Sequence, residues 1–155
     1  MTGNFREKSK TDLKEIAYRA YKWNLNVSIL IIIWILLVLL KFFGILPTTS
    51  IAQGIGVLIL LFAILAHVQT RKLRFISMGS ILVYISQIAA FPLVISVFMN
   101  FTVSGSTVFK IFAGLMYIII LLFQFLAAIF CYLTARKIKK EFIKEQTISE
   151  TVSTH

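Results

Sequence analysis

Few side chains here are able to do acid, base or nucleophilic chemistry. His67 lies near the end of an apolar stretch, and Ser77 and Ser80 follow it across a short basic loop. A serine beside a histidine is the beginning of a nucleophilic pair, with the imidazole taking the hydroxyl proton. That chemistry also needs an acid to orient the imidazole and a tight turn to present the hydroxyl. No Asp or Glu occurs between residues 16 and 140, so His67 reads first as an interfacial histidine bonded to water or lipid headgroups. The functional alternative makes it a reporter of cytoplasmic pH, because imidazole titrates near neutrality.

Other catalytic patterns are missing from the sequence. It holds no HExxH, no GxSxG and no glycine-rich phosphate loop. Cys131 is the single cysteine, which excludes an internal disulfide and a cysteine metal cluster. These observations imply a protein that is not an enzyme and carries no cofactor.

The informative polar residues inside the apolar runs are uncharged. Ser80, Tyr84 and Gln87 share one helical face at spacings of four and three, and Ala113, Tyr117, Gln124, Ala128 and Cys131 form a second seam. Buried amides in lipid seek partners, and small residues let helices approach. Tyr84, Gln87, Tyr117 and Gln124 are therefore candidates for interhelical polar contacts, worth about 0.6 to 2 kcal/mol each, or for lining a polar path. The packing role is the stronger of the two. Pro92 removes a backbone donor in mid-run and is a candidate hinge. Ala52 and Gly56 form a small-xxx-small pair, and Asn100-Phe101-Thr102 matches a glycosylation sequon close to an apolar run.

The elements that must hold these residues follow from composition. Of 155 residues, 59% are hydrophobic and 14% charged, with a mean hydropathy of +0.90 and a net charge of +10. A soluble domain carries about one quarter charged residues, spread over its surface. A long middle without acids suits lipid instead. The apolar runs predict an all-α polytopic membrane protein of four antiparallel transmembrane helices, at about 24–46, 51–69, 76–100 and 108–134. Each has the roughly 17 to 25 residues that a hydrocarbon core demands, and the short connections make neighbours in sequence neighbours in space.

Orientation follows from the cations. Fourteen of the sixteen Lys and Arg fall before the first run, between the second and third, or after the fourth. The positive-inside rule then puts both ends in the cytoplasm (N-in/C-in). Lys41 and Lys110 are left on the outer side, near helix ends where a long side chain reaches the headgroups. Arg71, Lys72, Arg74, Arg136 and Lys137 are candidate contacts to anionic headgroups of the bilayer, each worth about 1 kcal/mol near the surface. Nucleic acid is not an expected partner, since the charge is clustered at the ends of apolar runs.

Before the first run, Leu13, Ile16, Ala17, Ala20 and Trp23 recur at helical spacing. They predict a short N-terminal amphipathic helix on the inner leaflet within a 1–23 cytoplasmic leader, or equally a continuation of the first span. Glu15 to Arg19 and Lys137 to Glu141 are favourable i,i+4 pairs. The 24–134 region is the transmembrane domain, and 135–155 reads as a basic helical extension followed by a polar tail. A cleaved secretory leader is not expected, because the first apolar run is too long and its flank too mixed in charge.

Three functions fit this pattern. The foremost is a non-enzymatic accessory or interaction protein, of immunity type or a small subunit of a membrane complex, with another membrane protein or a second copy as partner. The alternative is a small transporter or channel formed by oligomerisation. A lipid-modifying enzyme comes third, since its acid or base would have to be Glu15 or Glu141, outside the bilayer. The Ile- and Lys-rich bias points to a multi-pass protein of a bacterial cytoplasmic membrane.

Overall fold

The computed structural model describes the backbone at residues 3–45, 50–100 and 107–144, and side chains at 12–41, 43–45, 54–90, 111–112 and 114–142. It consists of four α-helices, α1 (Gly3–Phe42), α2 (Ser50–Lys72), α3 (Met78–Asn100) and α4 (Thr107–Ile138), followed by a π-helical segment, Lys139–Lys144. No strand occurs among the described residues. Stretches of α1, α2 and α4 are long and apolar enough to cross a bilayer, which marks the chain as a membrane protein. The described apolar part of α3, Met78–Ala90, is shorter.

The four helices stand where the apolar runs put them, with shifted ends. The separate amphipathic helix gives way to the other alternative, because α1 is one 40-residue rod. The reason is a buried stripe that continues across Trp23. Ala17, Ala20, Asn24, Val27, Ile31 and Val38 are all buried and recur in steps of three, four or seven, the period of a coiled-coil seam. Comparable stripes run along α2 and into the turn after it (Ile59, Ala63, Ala66, Thr70, then Leu73) and along α4 (Ile120, Gln124, Ala127, Cys131, Ala135, Ile138).

Helix α1 packs on both α2 and α4, while α3 packs mainly on α4 and less extensively on α2. One core joins all four: Val27 and Ile31 from α1, Ile59, Ala63 and Ala66 from α2, Val83 from α3, and Ala127, Ala128 and Cys131 from α4. A smaller core, Ala17, Ala20, Leu73 and Ile138, lies beyond it toward the amino-terminal part of α1, with Phe75 and Phe142 against it. That second core keeps α1 helical past the apolar run. Outward-facing residues such as Ile32, Leu36, Leu61, Ile118 and Leu122 are as apolar as the interior. Lipid removes the hydrophobic drive for helices to associate, so small-residue packing and hydrogen bonds must hold this bundle.

Two helix ends share one capping geometry. After α1, Gly44 adopts φ 74 with its N–H on the Lys41 carbonyl (2.9 Å), while Ile45 N–H reaches the Leu40 carbonyl (3.0 Å). This is a Schellman motif, and it stops the helix at Phe42 although apolar sequence continues to Leu46. After α2 the same pair of bonds runs from Arg74 to Arg71 (2.9 Å) and from Phe75 to Thr70 (3.3 Å), with Arg74 at φ 60. A Cβ in this left-handed region costs about 1–2 kcal/mol, which glycine avoids. Arg74→Gly is therefore expected to stabilise the fold by about 1 kcal/mol against unfolding in mixed detergent and SDS micelles, with Gly44→Ala changing it by a similar amount in the opposite sense.

Candidate functional site

The polar side chains of the interior gather at two levels. The first lies where α1, the end of α2 and the start of α3 meet. Asn24, Thr70, Ser77 and Ser80 are each at most 1% exposed. The Asn24 amide donates both hydrogens, to the Ala20 carbonyl and to Thr70 Oγ1, each at 2.8 Å. Its Oδ1 accepts a longer bond from Ser77 Oγ at 3.4 Å. Ser77 has a single hydroxyl proton, so the 2.7 Å contact between Ser77 and Ser80 is made by the Ser80 hydroxyl donating. Ser77 immediately precedes α3, where a serine suits the helix start, and Ile81 N–H bonds its carbonyl at 3.2 Å.

The second level is in mid-bundle. Gln124 Nε2 donates to Ser86 Oγ at 2.7 Å, and the Ser86 hydroxyl in turn donates to the Val83 carbonyl at 2.7 Å. Ser28 on α1 donates to the Ala128 carbonyl on α4 at 2.9 Å, and the Tyr84 hydroxyl donates to the Ala63 carbonyl on α2 at 3.2 Å. The His67 ring meets Tyr84 edge to face, with centroids 5.9 Å apart. Two buried atoms, His67 Nδ1 and Gln124 Oε1, have no hydrogen-bond partner among the described residues.

The residues singled out from the sequence are thus separated into several environments. Gln124 lies at the interface, but its partner is Ser86, the residue beside Gln87, and Gln87 itself is half-buried. Tyr84 bonds across to α2, whereas Tyr117 is exposed on the flank of α4. The Ser77 hydroxyl is directed to Asn24 and that of Ser80 to Ser77, and His67 faces Tyr84. Helix α3 is continuous through position 92, while the Pro92 side chain lies outside the described residues, as do those of Ala52 and Ala113 and the sequon at 100–102. Among the described residues nothing stands within 4 Å of where a Cβ on Gly56 would be, and a close helix approach is found at Gly79, against Cys131. Among the described residues no three metal-ligating side chains converge.

The unsatisfied Gln124 oxygen permits a prediction. Removing this amide forfeits one interhelical bond, while Ser86 keeps its bond to Val83. Gln124→Leu is expected to change stability by less than about 1 kcal/mol in an SDS unfolding titration, near the membrane average for such bonds.

The cationic rim has structure as well. Arg71, Lys72 and Arg74 are exposed around the α2–α3 turn. Lys137 sits over the Phe75 ring at 4.9 Å and pairs with Glu141 at 3.9 Å, and Arg19 pairs with Glu15. Both ion pairs have the expected i,i+4 spacing, and exposure limits each to a fraction of about 1 kcal/mol. Between α1 and the end of α4 with the π-helical segment that continues it, Tyr21, Leu25, Tyr132, Ala135, Arg136, Lys139 and Lys140 line an open cleft of about 430 Å³. Asn24, Ser28, Gly79 and Ser86 had no motif to announce them in the sequence. For Asn24 the available signal was its place in the three-four stripe of α1. Comparison with protein-family models, with curated proteins and with solved structures gives no match for this chain.

Proposed function

We propose that the chain is a four-span protein of a cell membrane, both ends cytoplasmic, that works as a non-enzymatic accessory or interaction subunit for another membrane protein. The observation that carries this proposal is the use made of the interior polar groups. Asn24 is bonded to Thr70 and Ser77, Gln124 to Ser86, and Ser28 and Tyr84 to carbonyls of neighbouring helices. Side chains committed in this way fasten helices and leave recognition to the outer surface. That surface offers apolar flanks, the exposed Tyr117 and a strongly cationic rim.

Antiparallel neighbours and N-in/C-in topology are supported by two facts. Asn24, at the start of the apolar run of α1, meets Thr70, near the end of α2. Fourteen of the sixteen cations fall in the three segments that this topology puts inside. A cysteine at Thr49 that reacts with an impermeant thiol reagent in intact cells, while one at Ser149 does so only after lysis, agrees with this arrangement. Labelling of both from the same side rules it out.

The accessory role is tested by extracting the protein from its native membrane into several mild detergents. Co-purification of a larger membrane protein is expected, and recovery of the chain alone in all of them overturns the proposal. A channel built from several copies is the second proposal, favoured by the exposed Tyr117 and the half-buried Gln87. Their polar groups are costly against lipid and gain partners in an oligomer. Ion flux in liposomes that is lost with Gln87→Leu supports the channel, and no flux with the native protein removes it.

A further inference from the structure

We propose that the cleft between α1 and α4 is a binding site for one anionic phospholipid, with Arg136, Lys139 and Lys140 holding its phosphate. The cleft lies at the boundary where the apolar runs give way to charge. Leu25 opens the apolar run of α1, and Tyr132 precedes Arg136 by one helical turn on α4. Its walls thus change from apolar to cationic along the direction in which a phospholipid changes from acyl chain to phosphate. Tyr21 and Tyr132 stand on either side, with the apolar bodies and polar tips that suit this depth.

Charge and shape select the ligand. The cleft carries three cations and is lined by no carboxylate among the described residues. Glu141, the acid nearest in sequence, is engaged with Lys137. Lys139 Nζ is held over the Tyr21 ring at 5.6 Å, which fixes one ammonium at the cleft wall. The Arg136 guanidinium supplies the planar fork that matches two phosphate oxygens, and the lysines add point charges. A volume of about 430 Å³ falls within the roughly 300–1,000 Å³ of ordinary ligand pockets and accommodates a phosphoglycerol headgroup. Arg71 and Lys72 close α2 and Arg74 follows in the turn; none of the three lines the cleft, and their attraction to the leaflet is diffuse.

The proposal rests on the membrane-spanning part of the proposed function and not on the accessory role, so co-purification of a partner is unaffected by its outcome. The test is native mass spectrometry of the full chain in mild detergent, titrated with phosphatidylglycerol, phosphatidylcholine, inorganic phosphate or glycerol 3-phosphate. One phosphatidylglycerol per chain is expected to be retained at least tenfold more strongly than phosphatidylcholine. The soluble phosphates are expected to bind at least tenfold more weakly than phosphatidylglycerol, because they lack the chain that lies along Leu25. The triple variant Arg136→Gln, Lys139→Gln, Lys140→Gln is expected to lose at least tenfold more affinity than Arg71→Gln, Lys72→Gln, Arg74→Gln. The charge-preserving double variant Lys139→Arg, Lys140→Arg, which keeps the Arg136 fork and is compared at equal helicity by circular dichroism, is expected to stay within threefold of the native protein. Equal losses in the two glutamine variants overturn the site in favour of diffuse attraction. Soluble phosphate binding as tightly as the lipid overturns the lipid in favour of a soluble anion.

Discussion

Gly79→Ala is expected to destabilise the bundle by about 2–3 kcal/mol, and Gly79→Val by more, through overpacking at the α3–α4 crossing. A Cβ on residue 79 would stand 2.4 Å from Cys131 Sγ, 2.6 Å from the Cys131 backbone nitrogen and 3.0 Å from the Ala127 carbonyl oxygen. The first neighbour is a side chain, but it is fully buried. The other two are backbone and move only if the helices separate. Separation is costly twice over, because Gly79 lies between Ser77 and Ser80, and a shift of this segment pulls the Ser77 hydroxyl, to which Ser80 is bonded, from Asn24. Adding Cys131→Ala to Gly79→Ala is expected to restore less than half of the loss, since it removes the sulfur and leaves both backbone contacts. The measurement is the unfolding midpoint in mixed micelles as SDS is raised. A Gly79→Ala protein within about 0.5 kcal/mol of the native one, the range of an ordinary surface substitution, contradicts so close a crossing.

A feature is legible in the sequence when the interaction responsible for it is local. The apolar runs are local: lipid demands an outer surface as apolar as the core, so composition alone locates helices without any help from periodicity. The ends of the helices are decided by single residues that composition overlooks. Gly44 stops α1 inside an apolar stretch, and Ala17 and Ala20 extend it through a charged one. Choosing among polar residues is harder still. Successive residues on a helix differ by about 100°, so a face drawn through Ser80, Tyr84 and Gln87 cannot tell whether residue 86 or 87 meets α4. The structure gives that contact to Ser86. Gly79 is beyond sequence reasoning, because nothing in α3 reveals that Cys131 lies opposite. The basic cleft is only half legible: the sequence offers Arg136 as a headgroup contact, while Tyr21 and Leu25 come to it from the far end of the chain.

Asn24→Ala is expected to cost about 2 kcal/mol, more than any other single polar truncation in the bundle. The contrast with Gln124 is one of accounting. Gln124 uses one side of its amide and leaves Oε1 unpaired, whereas both ends of the Asn24 amide are engaged, in two bonds across helices and one within α1. Interhelical bonds in membranes average about 0.6 kcal/mol, because a separated helix finds other partners for its polar groups. Asn24 exceeds that average because its loss strands several groups at once: Ser77 loses its acceptor and Thr70 its donor, both fully buried. Thr70→Val is expected to cost about 1 kcal/mol by itself, and a double-mutant cycle with Asn24→Ala to return a coupling of about 1 kcal/mol, the signature of a shared network. Simple addition of the two single effects would mean that Asn24 acts mainly on its own helix through the Ala20 carbonyl. The position of Asn24 adds a second readout. It lies between Tyr21 and Leu25 in sequence, on the rod that forms one wall of the basic cleft. If the cluster fastens that wall, Asn24→Ala weakens phosphatidylglycerol retention along with stability, and Thr70→Val does both to a smaller degree. Unfolding that shifts as expected while retention is unchanged in both variants would mean that the cleft keeps its shape without this fastening.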